Sequence, residues 1–159
     1  MDKMPIVAVI FQSIPEEIVL FAFALTIIGE QIRIKKLLAA AVMMAFVLYF
    51  ARMLPLPFGV HTVIGVLAMI IIIRFLLKVE TLSGIIATLF SIGTLLAIEN
   101  VVTLPLISIL GYDNPEQVWP NTILRIVAGW PSTFLQGGIT YLLKIKKVVL
   151  FFENEATKR

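Results

Sequence analysis

Residues 35–57 read KKLLAAAVMMAFVLYFARMLPLP. Two lysines open the stretch, an uncharged run from Leu37 to Ala51 follows, and Arg52 and a Leu-Pro-Leu-Pro stop at 54–57 close it. A helix that crosses the hydrocarbon core of a bilayer, about 30 Å thick, needs about 20 residues. Proline ends or kinks a helix because it has no N–H to give. Residues Leu37 to Leu54 therefore read as a membrane span with a basic foot and a proline-capped far end.

The rest of the chain repeats this pattern. Of the 159 residues 60% are hydrophobic and 14% charged, and mean hydropathy is +1.02. A soluble domain is about 45–50% apolar and about 25% charged, so this chain has too few polar residues to cover a water-facing surface. Lipid reverses that constraint, because apolar side chains then face their own solvent. The composition predicts an all-α, polytopic transmembrane bundle of about five spans.

The first span runs from Pro5 or Ser13 to Gly29. Ser13, Pro15 and Glu16 have the spacing of a helix start, with serine as N-cap. The apolar run beyond Glu17 is short for a crossing, which favours a longer helix entered near Pro5 and kinked or restarted at Pro15. The third span is Val60–Leu77. The fourth begins near Leu82 and continues to Leu110, interrupted at Pro105. The fifth is Pro120–Leu143, with Trp130-Pro131 and Gly137-Gly138 as places to bend. Residues 1–147 form the bundle and 148–159 a cytoplasmic tail. The start, with Lys3 as its one basic residue and a short apolar run, reads as part of the first helix, not as a cleaved leader.

Alternating spans sort the thirteen basic residues. Arg33, Lys35, Lys36, Arg74, Lys78, Lys144, Lys146, Lys147, Lys158 and Arg159 fall on one side, and Lys3, Arg52 and Arg125 on the other. Cytoplasmic segments carry the excess of Lys and Arg. The expected orientation is thus N-terminus outside, C-terminus inside, in a multi-pass protein of a bacterial plasma membrane. The net charge of +3 is membrane topology on this reading, with no nucleic-acid partner. Ser83, Ala87 and Ser91, at four-residue spacing, mark a close-packing face of the fourth helix.

Charges inside spans are costly and usually face the bundle interior. At about 1.5 Å per residue, Glu16, Arg52, His61, Glu99 and Arg125 all lie roughly 20–27 Å from the inner ends of their helices. One ionisable group per helix thus stands at a common outer level, joined by Glu17, Asn100 and Gln136. Glu99 pairing with Arg125, or Glu16 with Arg52, would balance the signs. The expected site is an outward-facing polar vestibule made of Glu16, Arg52, His61, Glu99, Asn100, Arg125 and Trp130, walled also by Trp119 and Phe58, that binds a small ligand or peptide. The alternative is that these groups only reach headgroups and water, with Glu16-Glu17 and Arg52 serving helix ends.

Signatures of intramembrane chemistry are missing. There is no Gly-x-Ser-x-Gly elbow, no His-Glu-x-x-His pair, no cysteine and only one histidine. Glu16-Glu17 is similar to the diglutamate of CAAX-type intramembrane metalloproteases, but Phe21 stands where that family has arginine. The expectation is a protein without catalytic function, metal or cofactor.

Gln12-Ser-Ile-Pro-Glu16, Arg52-Met-Leu-Pro-Leu-Pro-Phe-Gly-Val-His61-Thr62, and Glu99-Asn100 followed by Pro105 together resemble the membrane sensor region of Firmicute accessory-gene-regulator C type (GHKL) histidine kinases. The likeness covers roughly residues 5–145 and lies in helix number, short loops and the placement of polar residues. It implies a sensor or accessory module for an extracellular peptide, working with a membrane or cytoplasmic signalling partner. The kinase domain of that family has no counterpart after Lys147. Two other classes fit the same composition: a substrate-binding subunit of an energy-coupling-factor transporter, usually with six helices and both termini inside, and a structural partner in a membrane complex.

Overall fold

The structure, a computed structural model, describes residues Pro5–Leu54 and Gly59–Leu150, and the described residues are helical with no strand among them. Six helices follow in order: α1 Ile6–Ile27, α2 Ile34–Met53, α3 Val60–Leu77, α4 Thr81–Ile109, the short α5 Pro115–Val118 and α6 Thr122–Ile145. The all-α bundle is as expected. Phe58 and the Pro-Leu-Pro turn before it, Lys3, and residues 151–159 of the expected tail lie outside the described residues.

Among the described residues four helices, not five, are long and apolar enough to cross a membrane: α1 to α4. The expected fifth span, α6, has 24 residues, or about 36 Å of helix, so length is no obstacle. Its hydropathy is the obstacle. The residues it buries are Arg125, Ala128, Ser132, Thr133, Gln136 and Thr140, so the face it turns to the protein is polar. A second face, with Val127, Phe134, Leu135 and Tyr141, is exposed and apolar.

Helix directions follow from side-chain neighbours. A Cβ on Gly129 would meet the Gln12 side chain, and one on Gly137 would meet Val19, so α6 runs parallel to α1. The Ser91 hydroxyl donates to the Leu20 carbonyl at 2.8 Å, and Glu99, further along α4, lies within charge range of Glu16, earlier on α1, so α4 runs beside α1 in the opposite sense. The Leu150 N–H donates to the Ile27 carbonyl at 2.9 Å, and Val149 lies against Gly29. The first residues of the expected tail are therefore folded onto the end of α1. At that end of the bundle also sit Arg33, Lys35, Lys36, Lys78, Lys144, Lys146 and Lys147.

Apolar packing around α1 holds the bundle together. Phe21, Ile27, Met69 and Ile73 are fully buried, with Leu20, Ala24, Leu37, Met44 and Leu95 around them. On α4 the buried face is Gly84, Ala87, Thr88, Ser91 and Leu95. Ala87 and Ser91 thus pack inward as expected, whereas Ser83 instead stays at the start of its helix, donating to the Glu80 carboxylate at 3.0 Å. A Cβ on Gly84 would stand 3.0 Å from Ile73, so α3 and α4 approach closely there.

Among the described residues, two of three π-helical turns precede prolines. In α1 the turn is Val9–Ser13, ahead of Pro15; in α4 it is Glu99–Thr103, ahead of Pro105. Proline removes a donor and crowds the carbonyl four residues back, and a widened turn relieves the crowding without ending the helix. The longer first helix is therefore observed, with a π turn in place of a restart. Ser13 is helical, with φ −64° and ψ −46°, and makes no cap, so the expected N-cap is corrected. Pro131 sits within one continuous α6.

Candidate functional site

The end of the bundle opposite the lysines gathers ionisable groups from four helices. Glu16 and Glu17 stand just past the π turn of α1, Arg52 in the last turn of α2, Glu99 at the π turn of α4, and Arg125 in the first turn of α6. The charges of Glu99, Arg52 and Arg125 all act on Glu16, and those of Glu16 and Arg52 act on Glu17. Arg52 also acts on Glu99. One guanidinium therefore lies within charge range of three carboxylates drawn from two other helices.

Burial sorts these groups. Glu17 is 3% exposed and its Oε2 has no hydrogen-bond partner among the described residues, while Glu16, Arg52 and Glu99 are half-buried. Arg125 is buried and its guanidinium lies over the Trp119 ring, 5.9 Å from the centroid. A cation held against an aromatic face is stabilised by the ring quadrupole. Trp119 is thus a partner of Arg125.

The remaining predicted residues divide. Asn100 is exposed and its Nδ2 donates to the Leu96 carbonyl of its own helix at 2.7 Å, turned away from Glu99. Trp130 is bound into the helix packing, because its Nε1–H donates to the Phe11 carbonyl at 3.1 Å and its ring lies 4.9 Å from that of Phe134. Phe11 is four residues before Pro15, so its carbonyl is the one Pro15 has no N–H to satisfy. The indole supplies the missing donor. His61 lies half-buried in the first turn of α3, its Nδ1 unpartnered.

Two polar residues beside the cluster have no place in the sequence reading of the site. Gln12, packed on Gly129, has an unpartnered Oε1, and Thr103 has an unpartnered Oγ1. Gln12 precedes Glu16 by four residues, the spacing that places two side chains on one helix face, and that signal was available in the sequence. Gln136, expected at the outer level, lies below it as one of the most deeply buried residues, its Oε1 unpartnered. The Gln136 amide donates to the Ser91 carbonyl at 3.1 Å while the Ser91 hydroxyl holds Leu20. This buried link ties α6, α4 and α1 together under the charged end. Among the described residues, no group of three His, Cys, Asp or Glu side chains is placed to hold a metal ion.

Fold and site together define a multi-pass helical membrane protein with a charged cluster at one end. No family model matches the chain, nor does any curated protein or solved structure.

Proposed function

We propose that this chain is a non-catalytic membrane module of sensor or accessory type, which receives a small ligand or peptide at the end where Glu16, Glu17, Arg52, Glu99 and Arg125 meet. That end faces outward from a bacterial plasma membrane, and the lysine-rich end faces the cytoplasm, where a signalling partner, in the membrane or soluble, takes the output. The observation that carries the reading is that Arg52 stands within charge range of three carboxylates from two other helices. Ionisable groups inside a membrane are expensive and mark functional positions by default, and these come from separate helices to one place. The parallel run of α1 and α6 favours this over a six-helix transporter subunit with both termini inside, because it sends the two chain ends to opposite faces.

The natural absence of cysteine gives a clean test. Glu16→Cys and Glu99→Cys are each introduced singly and exposed, in intact cells, to a membrane-impermeant thiol reagent. Val101→Cys, on the exposed apolar face two residues from Glu99, is the lipid-facing control. Labelling of the first two from outside, with the control silent, supports the vestibule. Labelling only after the cells are opened reverses the orientation, and no labelling at all removes the vestibule.

A further inference from the structure

The opposite end of the bundle, where α1, α3 and α6 finish, is strongly basic. Arg33, Lys35 and Lys36 stand where α1 passes into α2, Arg74 and Lys78 at the end of α3, and Lys144, Lys146 and Lys147 at the end of α6; all but Lys36 are exposed. The acids there are Glu30 and Glu80, and Glu80 accepts the Ser83 hydroxyl at 3.0 Å. Residues 151–159 carry two acidic and two basic side chains, so they leave the surplus unchanged.

The backbone adds a second sign. Three helices finish here on a left-handed residue: Gly29 after α1 (φ 74°), Lys78 after α3 (φ 63°) and Lys147 after α6 (φ 51°). Two of these caps close alike, with the Glu30 N–H on the Leu25 carbonyl at 2.9 Å and the Val148 N–H on the Leu143 carbonyl at 3.0 Å. Glycine adopts this conformation freely, whereas a side chain strains it. A cation does favour the end of a helix, but Arg74, Lys144 and Lys146 already supply that charge without being left-handed. Lysine thus fills two positions where glycine is the easier residue. Val149 lies on Gly29 and Leu150 pairs with Ile27, which draws the end of α6, and Lys147 with it, onto the α1–α2 connection. Exposed apolar side chains flank the same cations: Ile34, Phe75, Tyr141 and Ile145.

We propose that this basic end is a docking surface for anionic phospholipid, with Lys78 and Lys147 among the groups that reach its phosphates and the exposed apolar side chains beside them receiving its acyl chains. The inference goes beyond the outward-facing site and does not depend on it. Each ammonium brings three donors to a phosphate, and each basic residue near an anionic bilayer surface is worth about fivefold in affinity. A free phosphate would meet the cations and leave the apolar side chains unmet, and so would a soluble acidic protein. A phospholipid meets both.

The test uses the full chain purified in detergent, with the thermal unfolding midpoint read at fixed pH and ionic strength. The probes are dioleoylphosphatidylglycerol, dioleoylphosphatidylcholine with the same chains, glycerol 3-phosphate without chains, and poly-glutamate as a soluble acidic polymer. A ligand that binds only the folded state raises the midpoint in a saturable way, and phosphatidylglycerol alone is expected to do so. In the double variant Lys78→Gly with Lys147→Gly, two strained left-handed side chains are removed, so the midpoint without lipid is expected to hold or rise. The half-saturating concentration of phosphatidylglycerol is expected to rise at least about tenfold, from about fivefold per lysine. Lysines with only a structural role would leave that concentration unmoved, and this result overturns the proposal. Should the glycine pair fail to fold, Lys144→Gln with Lys146→Gln reads the same loss at exposed positions. Equal response to the two lipids overturns recognition of charge, and an equal response to glycerol 3-phosphate overturns the lipid in favour of a free phosphate. A response to poly-glutamate without one to phosphatidylglycerol overturns it in favour of an acidic protein. Silence from every probe overturns it as well. The cysteine labelling reads the other end of the bundle, so either reading can fail while the other stands.

Discussion

The bond between Trp130 and the Phe11 carbonyl makes a prediction in which one residue's defect is corrected by another helix. Pro15 cannot donate to Phe11, so the Trp130 indole reaches across from α6 at 3.1 Å. Trp130→Phe keeps most of the ring and removes that donor. Hydrogen bonds between helices in membranes average about 0.6 kcal/mol, with a maximum near about 1.7 kcal/mol. Leaving that carbonyl unpaired in an apolar setting puts the loss in the upper half of this range, about 1 kcal/mol. The single change is therefore expected to cost about 2 kcal/mol, part of it from the smaller apolar surface of phenylalanine.

Pro15→Ala separates these contributions. Alanine restores an N–H that can serve Phe11 within α1, so the carbonyl no longer depends on α6. Trp130→Phe in the Pro15→Ala background is expected to cost only about 1 kcal/mol, the part due to lost ring area. The coupling of about 1 kcal/mol is obtained from a double-mutant cycle measured by reversible unfolding in mixed micelles, where the intrinsic effect of Pro15→Ala cancels. Additive costs, with coupling below about 0.3 kcal/mol, would refute the idea that the indole replaces the proline's missing donor.

Ser91→Ala removes the hydroxyl that holds Leu20 and is expected to cost about 0.6 kcal/mol and no more than about 1.7 kcal/mol, read by the same unfolding assay. Gln136→Leu loses the bond to the Ser91 carbonyl but also removes a buried oxygen with no partner, so its stability should stay within about 1 kcal/mol of wild type; a loss above about 3 kcal/mol would contradict this. Gly84→Leu drives a side chain into Ile73 and should destabilise by about 1–3 kcal/mol, whereas Gly93→Leu, with nothing within 4 Å of its Cβ position, should change stability by less than about 0.5 kcal/mol. Arg52→Ala and Glu99→Ala should show coupling of at least about 0.5 kcal/mol, larger than that between Glu99 and Arg125, because the charge acting on Glu99 is that of Arg52.

Much of the architecture can be read from punctuation. The third helix is expected at Val60–Leu77 and is found there. The second begins at Ile34, three residues before the apolar run, so that Lys35 and Lys36 lie in its first turn. Pro105 is expected to interrupt the fourth helix, and it does so as a π turn through which the helix continues to Ile109. The depth estimate places Glu16, Arg52, Glu99 and Arg125 at one level because rise per residue is the same in every helix. Rotation about each axis is a different matter. Glu99 and Asn100 are neighbours in sequence, yet Glu99 faces the charges of other helices and Asn100 bonds back to Leu96. Adjacent helical residues point about 100° apart, and packing decides which of them turns inward.

The miscounted span has the same origin. A hydropathy average treats every side of a helix alike, whereas a helix in a bundle has a lipid face and a protein face with different solvents. On α6 the protein face carries Arg125, Ser132, Gln136 and Thr140, and these lower the average although they are buried in the bundle. The face it leaves exposed carries Val127, Phe134, Leu135 and Tyr141 instead. The polar residues that make α6 a poor span by composition are also its attachments: Gln136 to Ser91, Trp130 to Phe11, and Arg125 within charge range of Glu16. Four helices are apolar enough to stand in a membrane individually, and the fifth long helix closes the charged end because it is not.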